Sequence, residues 1–194
     1  MKKYAFYDTY DNPEYQEYEL KGEAYKELMQ LCFRYCDTMS LLQWHRIPNV
    51  SEENEKFFTI SPQSILIGKR FEKFQIDPPE NINWSFSHYV CSAPRKNPQE
   101  NFIRIAETSV KHYKLCPELF ELMTTITHDI FWWADDNKNG LLEDPCFFRA
   151  DGSCFFNSFV HEGELFLYLK EDEDASKLFS LSKWWTGEDI KRYI

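Results

Sequence analysis

Apolar residues recur at helical spacing in three parts of the chain. Between positions 23 and 36 they follow i, i+4, i+7 and i+11 spacing, which predicts an amphipathic helix. Asn97 before Pro98 is typical of a helix start, and Pro117 can begin a further helix. Residues 102–106 also fit a strand, which is the competing interpretation of the second segment. The predicted helices cover residues 23–36, 98–114 and 117–134.

Alternation of apolar and polar residues marks the strands. The clearest run covers 82–90, where Trp84, Phe86, His88 and Val90 share one face. His88 on this apolar face is interpreted as a hydrogen-bonded core histidine, with a binding residue as the alternative. Further strands are predicted at 3–7, 39–44, 57–60, 64–67, 146–150, 153–160 and 165–170.

The dipeptide Asp151-Gly152 lies between two aromatic-rich runs, which is a strong hairpin signal. A two-residue turn at this point puts Phe148 opposite Phe155 and Phe147 opposite Phe156. Both faces of the hairpin then carry aromatic rings, so we expect both faces to be covered.

These elements predict a single α+β domain that spans residues 1–194. We expect a mostly antiparallel sheet with about three helices packed on it. A chain of 194 residues is long enough to bury a core without disulfides or metal ions.

The net charge of the chain indicates which classes of partner it can bind. The chain has 22 Lys and Arg against 32 Asp and Glu, a net charge of −10, so we expect no nucleic-acid binding. The run Glu171–Asp174 is interpreted as a solvated acidic turn. Acidic surface, with aromatic residues at 18% of the chain, favours binding to a basic protein.

The first eight residues contain two lysines but no apolar segment behind them, so no secretory signal is predicted. We therefore expect a cytoplasmic location and no membrane partner. The six cysteines are expected to be reduced and mostly buried, with Cys32 and Cys36 in the first helix. Their spacing lacks the C-x2-C pattern of zinc sites.

Residues 135–140 resemble the start of a calcium loop. Asp135, Asn137 and Asn139 fill the first, third and fifth positions, with Gly140 at the sixth. The twelfth position is Cys146 where such a loop needs a glutamate, so a polar turn is the preferred interpretation. We expect neither a metal site nor a cofactor.

The segment 151–156, Asp-Gly-Ser-Cys-Phe-Phe, resembles the nucleophile motif of the ovarian-tumour cysteine deubiquitinases, Asp-Gly-Asn-Cys-Leu-Phe. The resemblance implies a nucleophilic role for Cys154, but Ser153 and Phe155 depart from the motif. The only histidine downstream is His161. Seven residues span about 23 Å in a strand, so direct contact between Cys154 and His161 is not expected.

The segment His161-Glu162-Gly163-Glu164 is the other candidate site. In a turn, His161 lies opposite Glu164 and forms a weak cross-strand ion pair. An acid–base or metal site there needs a third group, for which Asp136, Asp144 and His128 are candidates. The candidate catalytic residues are His161, Glu162 and Cys154. The candidate binding residues are His88, His128, Trp132 and Glu164.

Residues 113–169 are similar to uncharacterised small cytoplasmic bacterial proteins, some of them suspected immunity proteins of toxin systems. The similarity lies in Cys116-Pro-Glu-Leu, Leu142-Glu-Asp-Pro, Asp151-Gly and the segment 158–163. We therefore expect a cytoplasmic, acidic, aromatic-rich protein-binding module, in its most specific form an immunity-type inhibitor of a basic toxin. The alternatives are a small hydrolase or transferase around His161, Glu162 and Cys154, and a small-ligand sensor.

Overall fold

In the part of the chain that the structure describes, nine strands form one sheet in which every pairing between strands is antiparallel. The computed structural model describes residues 1–7, 20–46, 62–82, 90–94, 102–134 and 142–186. In chain order, the strands are β1 Lys2–Tyr7, β2 Thr38–Arg46, β3 Gln75–Ile76, β4 Val90–Pro94, β5 Phe102–Lys114, β6 Leu142–Phe148, β7 Cys154–Phe159, β8 Glu164–Leu169 and β9 Trp185–Thr186. Their order across the sheet is β3-β5-β2-β6-β7-β8-β1-β9, with β4 beside β5.

The helices in the described residues are α1 Glu23–Tyr35, α2 Pro62–Glu72, α3 Pro117–Ile126 and α4 Ser176–Leu181. The described residues also contain two 3-10 turns, at Ile130–Ala134 and Val160–Glu162. The predicted α+β class is therefore confirmed. Within the described part of the chain, no helix is both long and apolar enough to cross a membrane.

The apolar stripe of α1 packs on one face of the sheet, as its spacing predicts. Leu28 and Leu31 are fully buried with Met39 and Phe147 from the strands below. Burial of each such side chain contributes roughly 1.5–3 kcal/mol to the free energy of folding. Packing on the sheet therefore stabilises α1 more than the intrinsic helix propensity of its residues does. This helix-covered side is called the core face of the sheet.

The second face of the sheet is also buried. All seven residues of β6 are buried, including Cys146 and Phe148, which pack with Cys154 apart from the helix-covered core. The expectation that both faces are covered is therefore confirmed. β6 begins four residues before the predicted strand at 146–150 and ends two residues earlier, because it includes the buried charged residues Glu143 and Asp144, which an apolar pattern does not detect.

The predicted helix at 98–114 is wrong. Residues 102–114 form β5, which pairs along nine residues with β2. Thr108 and Val110 are β-branched, and Tyr113 is packed on the core face, so the segment suits a half-buried strand. Long-range pairing with β2 outweighs a helical spacing that the same residues also satisfy.

The predicted strand at 64–67 is also wrong, because it lies within α2. Phe71 is fully buried one turn further on and packs edge-on against Tyr113 and Trp133. A four-residue apolar run does not distinguish a strand from a buried helix turn, and here the tertiary contacts decide for the helix.

The predicted helix at 117–134 ends early, at Ile126. The Thr127 hydroxyl accepts a hydrogen bond from the Asp129 backbone N–H at 3.0 Å, which favours a local turn over another helical turn. The chain then forms the 3-10 turn at Ile130–Ala134, so the apolar spacing continues although the α-helix does not.

The hairpin between β6 and β7 is confirmed, but its loop is longer than predicted. Gly152 donates to the Arg149 carbonyl, and the next pairing joins Phe148 to Cys154, not to Phe155. The pairing of Phe147 with Phe156 is as predicted. Gly152 has φ +78, and a Cβ there would lie 2.2 Å from the Asn81 carbonyl oxygen, so this loop requires glycine.

Three sequence predictions lie outside the described residues. They are the strand at 57–60, the part of the 82–90 strand that carries His88, and the loop at 135–140.

Candidate functional site

A histidine and a glutamate meet where β7 ends. His161 lies in the 3-10 turn after β7, and its Nε2 is 3.1 Å from Oε2 of Glu143 in β6. The Glu143 side chain is 0% exposed, whereas that of His161 is 38% exposed. One end of this pair is therefore buried and the other faces solvent. We refer to His161 and Glu143 as the His–Glu pair.

Asp144 holds the turn that carries His161. Its Oδ1 accepts a hydrogen bond of 2.8 Å from the Val160 backbone N–H, the residue before His161. Asp144 itself has φ +49, a left-handed conformation that is unfavourable for any residue with a Cβ. The Ser158 hydroxyl donates to the Pro145 carbonyl at 3.0 Å and ties β7 to the same part of β6.

The buried Glu143 carboxylate lies beside an imidazole that can carry a positive charge. A buried carboxylate is costly unless a cation or hydrogen-bond donors compensate it, and His161 supplies a positive charge when it is protonated. A carboxylate that fixes the orientation of an imidazole is also the arrangement that suits proton transfer at the exposed side of the ring. The site can therefore hold and move a proton.

The predicted pairing of His161 with Glu164 is wrong. The residue opposite Glu164 in β7 is Phe159, and on its other side Glu164 is paired with Tyr7 in β1. Partial burial, followed by the charge of Glu164, raises the pKa of the Tyr7 hydroxyl. The connection is two residues longer than predicted because Val160–Glu162 forms a 3-10 turn that ends at Gly163, with φ +67.

Cys154 belongs to a different group of residues. It is buried at the start of β7, and its Sγ lies 3.8 Å from Sγ of Cys146. Burial, followed by the neighbouring Cys154 thiol, raises the pKa of Cys146. The structure thus separates Cys154 from His161, as the spacing argument predicts, and gives it the apolar surroundings of a packed thiol.

The burial predicted for the cysteines is confirmed for most of those described. Cys32, Cys36, Cys146 and Cys154 are buried, and Cys116 is half-buried. Burial is also the main cause that raises the pKa of the Cys32 and Cys36 thiols.

The remaining candidate residues lie in separate places. Glu162 is exposed in the 3-10 turn, and the exposed His128 accepts a backbone hydrogen bond of 2.7 Å from Gly22 through its carbonyl. Trp132 is half-buried, with its ring 5.3 Å from that of Trp133 in an edge-on contact. In the described ranges, no group of three or more His, Cys, Asp or Glu residues is arranged to hold a metal ion.

A cavity of about 500 Å3 lies between α2 and α3, away from these candidates. One wall carries the basic residues Lys69, Arg70 and Lys73, and the other carries Glu118 and Glu121. The cavity does not include His161 or Glu162.

The acidic turn after β8 is anchored by a buried arginine. Arg149 Nε donates to Glu173 Oε1 and its Nη2 donates to Oε2, both at 2.6 Å, and the two side chains are only 5% and 6% exposed. Its Nη1 also donates to the Cys154 carbonyl at 2.7 Å. The interpretation of 171–174 as a solvated turn is therefore wrong for Glu173, because Arg149 draws this carboxylate into the protein.

Exposed carboxylates surround this anchor. Asp37, Asp151, Glu171, Asp172 and Asp174 are all exposed at the end of the sheet where β6 leads into β7 and β8 ends. The Asp151 carboxylate pairs with Lys170 at 2.6 Å. The Asp174 backbone N–H donates to the Tyr35 hydroxyl at 3.1 Å, which fixes the turn against α1. We call these five residues the acidic end.

Sequence reasoning missed Glu143 and Arg149. Each is a charged residue next to apolar or aromatic residues, in Leu142-Glu143 and Phe148-Arg149. A charge inside a buried strand indicates a partner, but the partners lie 18 and 24 positions away in the chain. No local pattern identifies residues at such distances.

Comparison of the chain with protein-family models, curated proteins and solved structures finds no match.

Proposed function

We propose that this protein is a cytoplasmic binding module that docks a basic protein through its acidic end. The observation that carries the proposal is the anchoring of an exposed acidic turn by the buried Arg149–Glu173 pair. A turn held in one conformation loses little conformational entropy on binding, so its charges can contribute fully to association. An immunity-type inhibitor of a basic toxin is the most specific form of this proposal.

Charge supports a basic partner. Asp37, Glu171 and Asp172 form no ion pair with any residue in the described ranges, so their carboxylates are available to a partner's lysines and arginines. The net charge of −10 speeds the approach of a positively charged protein from a distance. The aromatic residues of the strands are buried or half-buried wherever their side chains are described, so the exposed acidic groups contribute more to this surface than the rings do.

The test compares two charge-neutralised variants with the same net charge. The first, Asp37→Asn/Glu171→Gln/Asp172→Asn, removes three charges from the acidic end. The control, Glu23→Gln/Glu121→Gln/Glu162→Gln, removes three exposed charges elsewhere. Binding of a 20-residue Lys- and Arg-rich peptide is followed by NMR chemical shifts at low and high salt.

We expect the peptide to shift resonances at the acidic end of the wild type and of the control. The first variant should bind at least tenfold more weakly. Equal weakening in both variants means that net charge alone attracts the peptide, and this outcome overturns the proposal. For the natural partner, a photo-crosslinker at Glu171 should capture a basic protein that the same crosslinker at Glu162 does not.

A second candidate function rests on the 3.1 Å contact of the His–Glu pair. We propose as the alternative a small hydrolase or transferase in which His161 transfers the proton and Glu143 positions its ring. Hydrolysis of p-nitrophenyl acetate tests this alternative. His161→Gln should lower the rate at least tenfold, whereas His128→Gln, which removes another exposed imidazole, should not. Equal rates in the two variants exclude this role for His161.

A further inference from the structure

The cavity between α2 and α3 is lined mainly by exposed charged side chains, so it is open to solvent. Its basic wall is formed by Lys69 and Arg70 of α2 and by Lys73, which follows that helix. Its acidic wall is formed by Glu118 and Glu121 of α3. The volume of about 500 Å3 falls within the range of small-molecule sites, about 300–1,000 Å3. The two walls therefore leave room for a small ligand.

The backbone of each wall is fixed to the core of the protein. On α2, Phe71 is fully buried next to Arg70. On α3, Leu119 is fully buried next to Glu118, and Leu122, which lines the cavity, is only 7% exposed. Helices anchored in this way do not have to become ordered when a ligand binds, so the charged walls are already in place.

The opposite charges of the two walls do not neutralise each other by contact. Lys69, Arg70 and Glu121 form no ion pair with any residue in the described ranges. The Nζ of Lys73 lies over the ring of Phe74, 4.6 Å from its centroid. Among the described residues, the charges of both signs are therefore left for a ligand to compensate.

The Glu118 carboxyl is ionised at neutral pH. A hydrogen bond from its own backbone N–H, followed by one from the Cys116 thiol, lowers its pKa from the ordinary value of 4.5, and the charge of Lys73 lowers it further. Lys73 and Glu118 are thus close enough to interact electrostatically, although they form no ion pair within the described part of the chain. The acidic wall is negatively charged where it faces the basic wall.

We propose that this cavity binds a small zwitterion with two carboxylates and one ammonium group, the chemistry of an acidic amino acid. The carboxylates contact the basic wall, and the ammonium group contacts the acidic wall. Three cations and two carboxylates leave an excess of one positive charge, which a ligand of net charge −1 balances. This site goes beyond the proposed function, since none of the five residues of the acidic end lines the cavity.

The ammonium group is what distinguishes this ligand from a simple anion. A dicarboxylate without it places like charges near Glu118 and Glu121, which is unfavourable. An amino acid with only one carboxylate leaves part of the basic wall without a partner. Both charge types on one small molecule are therefore needed for the best fit.

An NMR titration of the whole protein tests the ligand class with L-glutamate, L-aspartate, N-acetylglutamate and glutamine. Exposed ion pairs are individually weak, so we expect glutamate or aspartate to bind with a Kd on the order of 1 mM and to shift the amide resonances of Leu122 and Thr125. N-acetylglutamate lacks the ammonium group and glutamine lacks one carboxylate, so each should bind at least fivefold more weakly. Binding of N-acetylglutamate as tight as that of glutamate, or no shift with either acidic amino acid up to about 20 mM, overturns the proposal.

A pair of matched variants tests the basic wall. Lys69→Gln/Arg70→Gln removes two exposed cations from the cavity, and the control, Lys26→Gln/Arg34→Gln, removes two exposed cations from α1. The first variant should bind glutamate at least fivefold more weakly, whereas the control should bind it as the wild type does. Equal binding by the two variants shows that the cavity is not the site.

A second pair tests the acidic wall. Glu121→Gln should weaken the binding of glutamate but strengthen that of N-acetylglutamate, because it removes both the partner of the ammonium group and the repulsion of the extra negative charge. Glu23→Gln, which neutralises an exposed carboxylate of α1, should change neither. Changes of the same sign for both ligands in Glu121→Gln refute the contact between the ammonium group and the acidic wall.

Discussion

Removal of the Arg149 side chain should be the most damaging single change to the acidic end. In Arg149→Leu, the Glu173 carboxylate keeps its position with only 6% of its side chain exposed, but loses both 2.6 Å hydrogen bonds. The Cys154 and Tyr168 carbonyls lose a donor as well. Breaking one side of a buried ion pair costs about 3–5 kcal/mol, and we expect that loss in the free energy of unfolding.

Lys170→Met provides the control for this prediction. Lys170 pairs with Asp151 at the same 2.6 Å distance, but the two side chains are 41% and 55% exposed. An exposed pair contributes at most about 1 kcal/mol because water screens it. Urea unfolding at pH 7, followed by circular dichroism, measures both variants. Similar losses for Arg149→Leu and Lys170→Met would refute the conclusion that burial makes the Arg149 pair important.

The same pair predicts a dependence of stability on pH. Burial alone raises the pKa of Glu173, but hydrogen bonds from Arg149 and from the Lys170 backbone outweigh it and lower the pKa from its ordinary value of 4.5. A carboxyl with a lowered pKa stabilises the fold above its unfolded pKa and loses that contribution as pH falls through the folded pKa. The difference in stability between wild type and Glu173→Gln should therefore shrink as pH falls below the ordinary pKa of 4.5. An unchanged difference over this range would contradict the ionised state assigned to Glu173.

Three further predictions concern other parts of the fold. Gly152→Ala should lower the free energy of unfolding in urea by more than about 1 kcal/mol, because φ +78 and the 2.2 Å approach to the Asn81 carbonyl oxygen both oppose a Cβ. An unchanged urea midpoint would contradict this prediction. Cys154→Ser should lower the free energy of unfolding by about 1 kcal/mol or more, since it places a hydroxyl in an apolar cluster, and circular dichroism should show an intact fold. Rapid, pH-dependent alkylation of Cys154 in the wild type would instead indicate a reactive thiolate. The four buried thiols should react with a thiol reagent only after unfolding, and rapid labelling of all cysteines in the native state would show that the core is open.

Local patterns in the sequence determined the elements whose contacts are near in the chain. The stripe from Ala24 to Tyr35 predicts α1 because a single helix face must be apolar to reach the core. The Asp151-Gly152 signal predicts the β6–β7 hairpin because only a few residues connect the strands. Net charge likewise favours the proposal of a basic partner without any knowledge of the fold.

The tertiary structure alone decided the features that depend on distant partners. Residues 102–114 satisfy helical spacing, yet they form β5 because β2 offers nine backbone pairings along its edge. The His–Glu pair and the pair of Arg149 with Glu173 each join residues 18 or more positions apart in the chain. Side chains that meet across strands leave no periodic signal within either strand, so these sites became visible only when the sheet order and register were known.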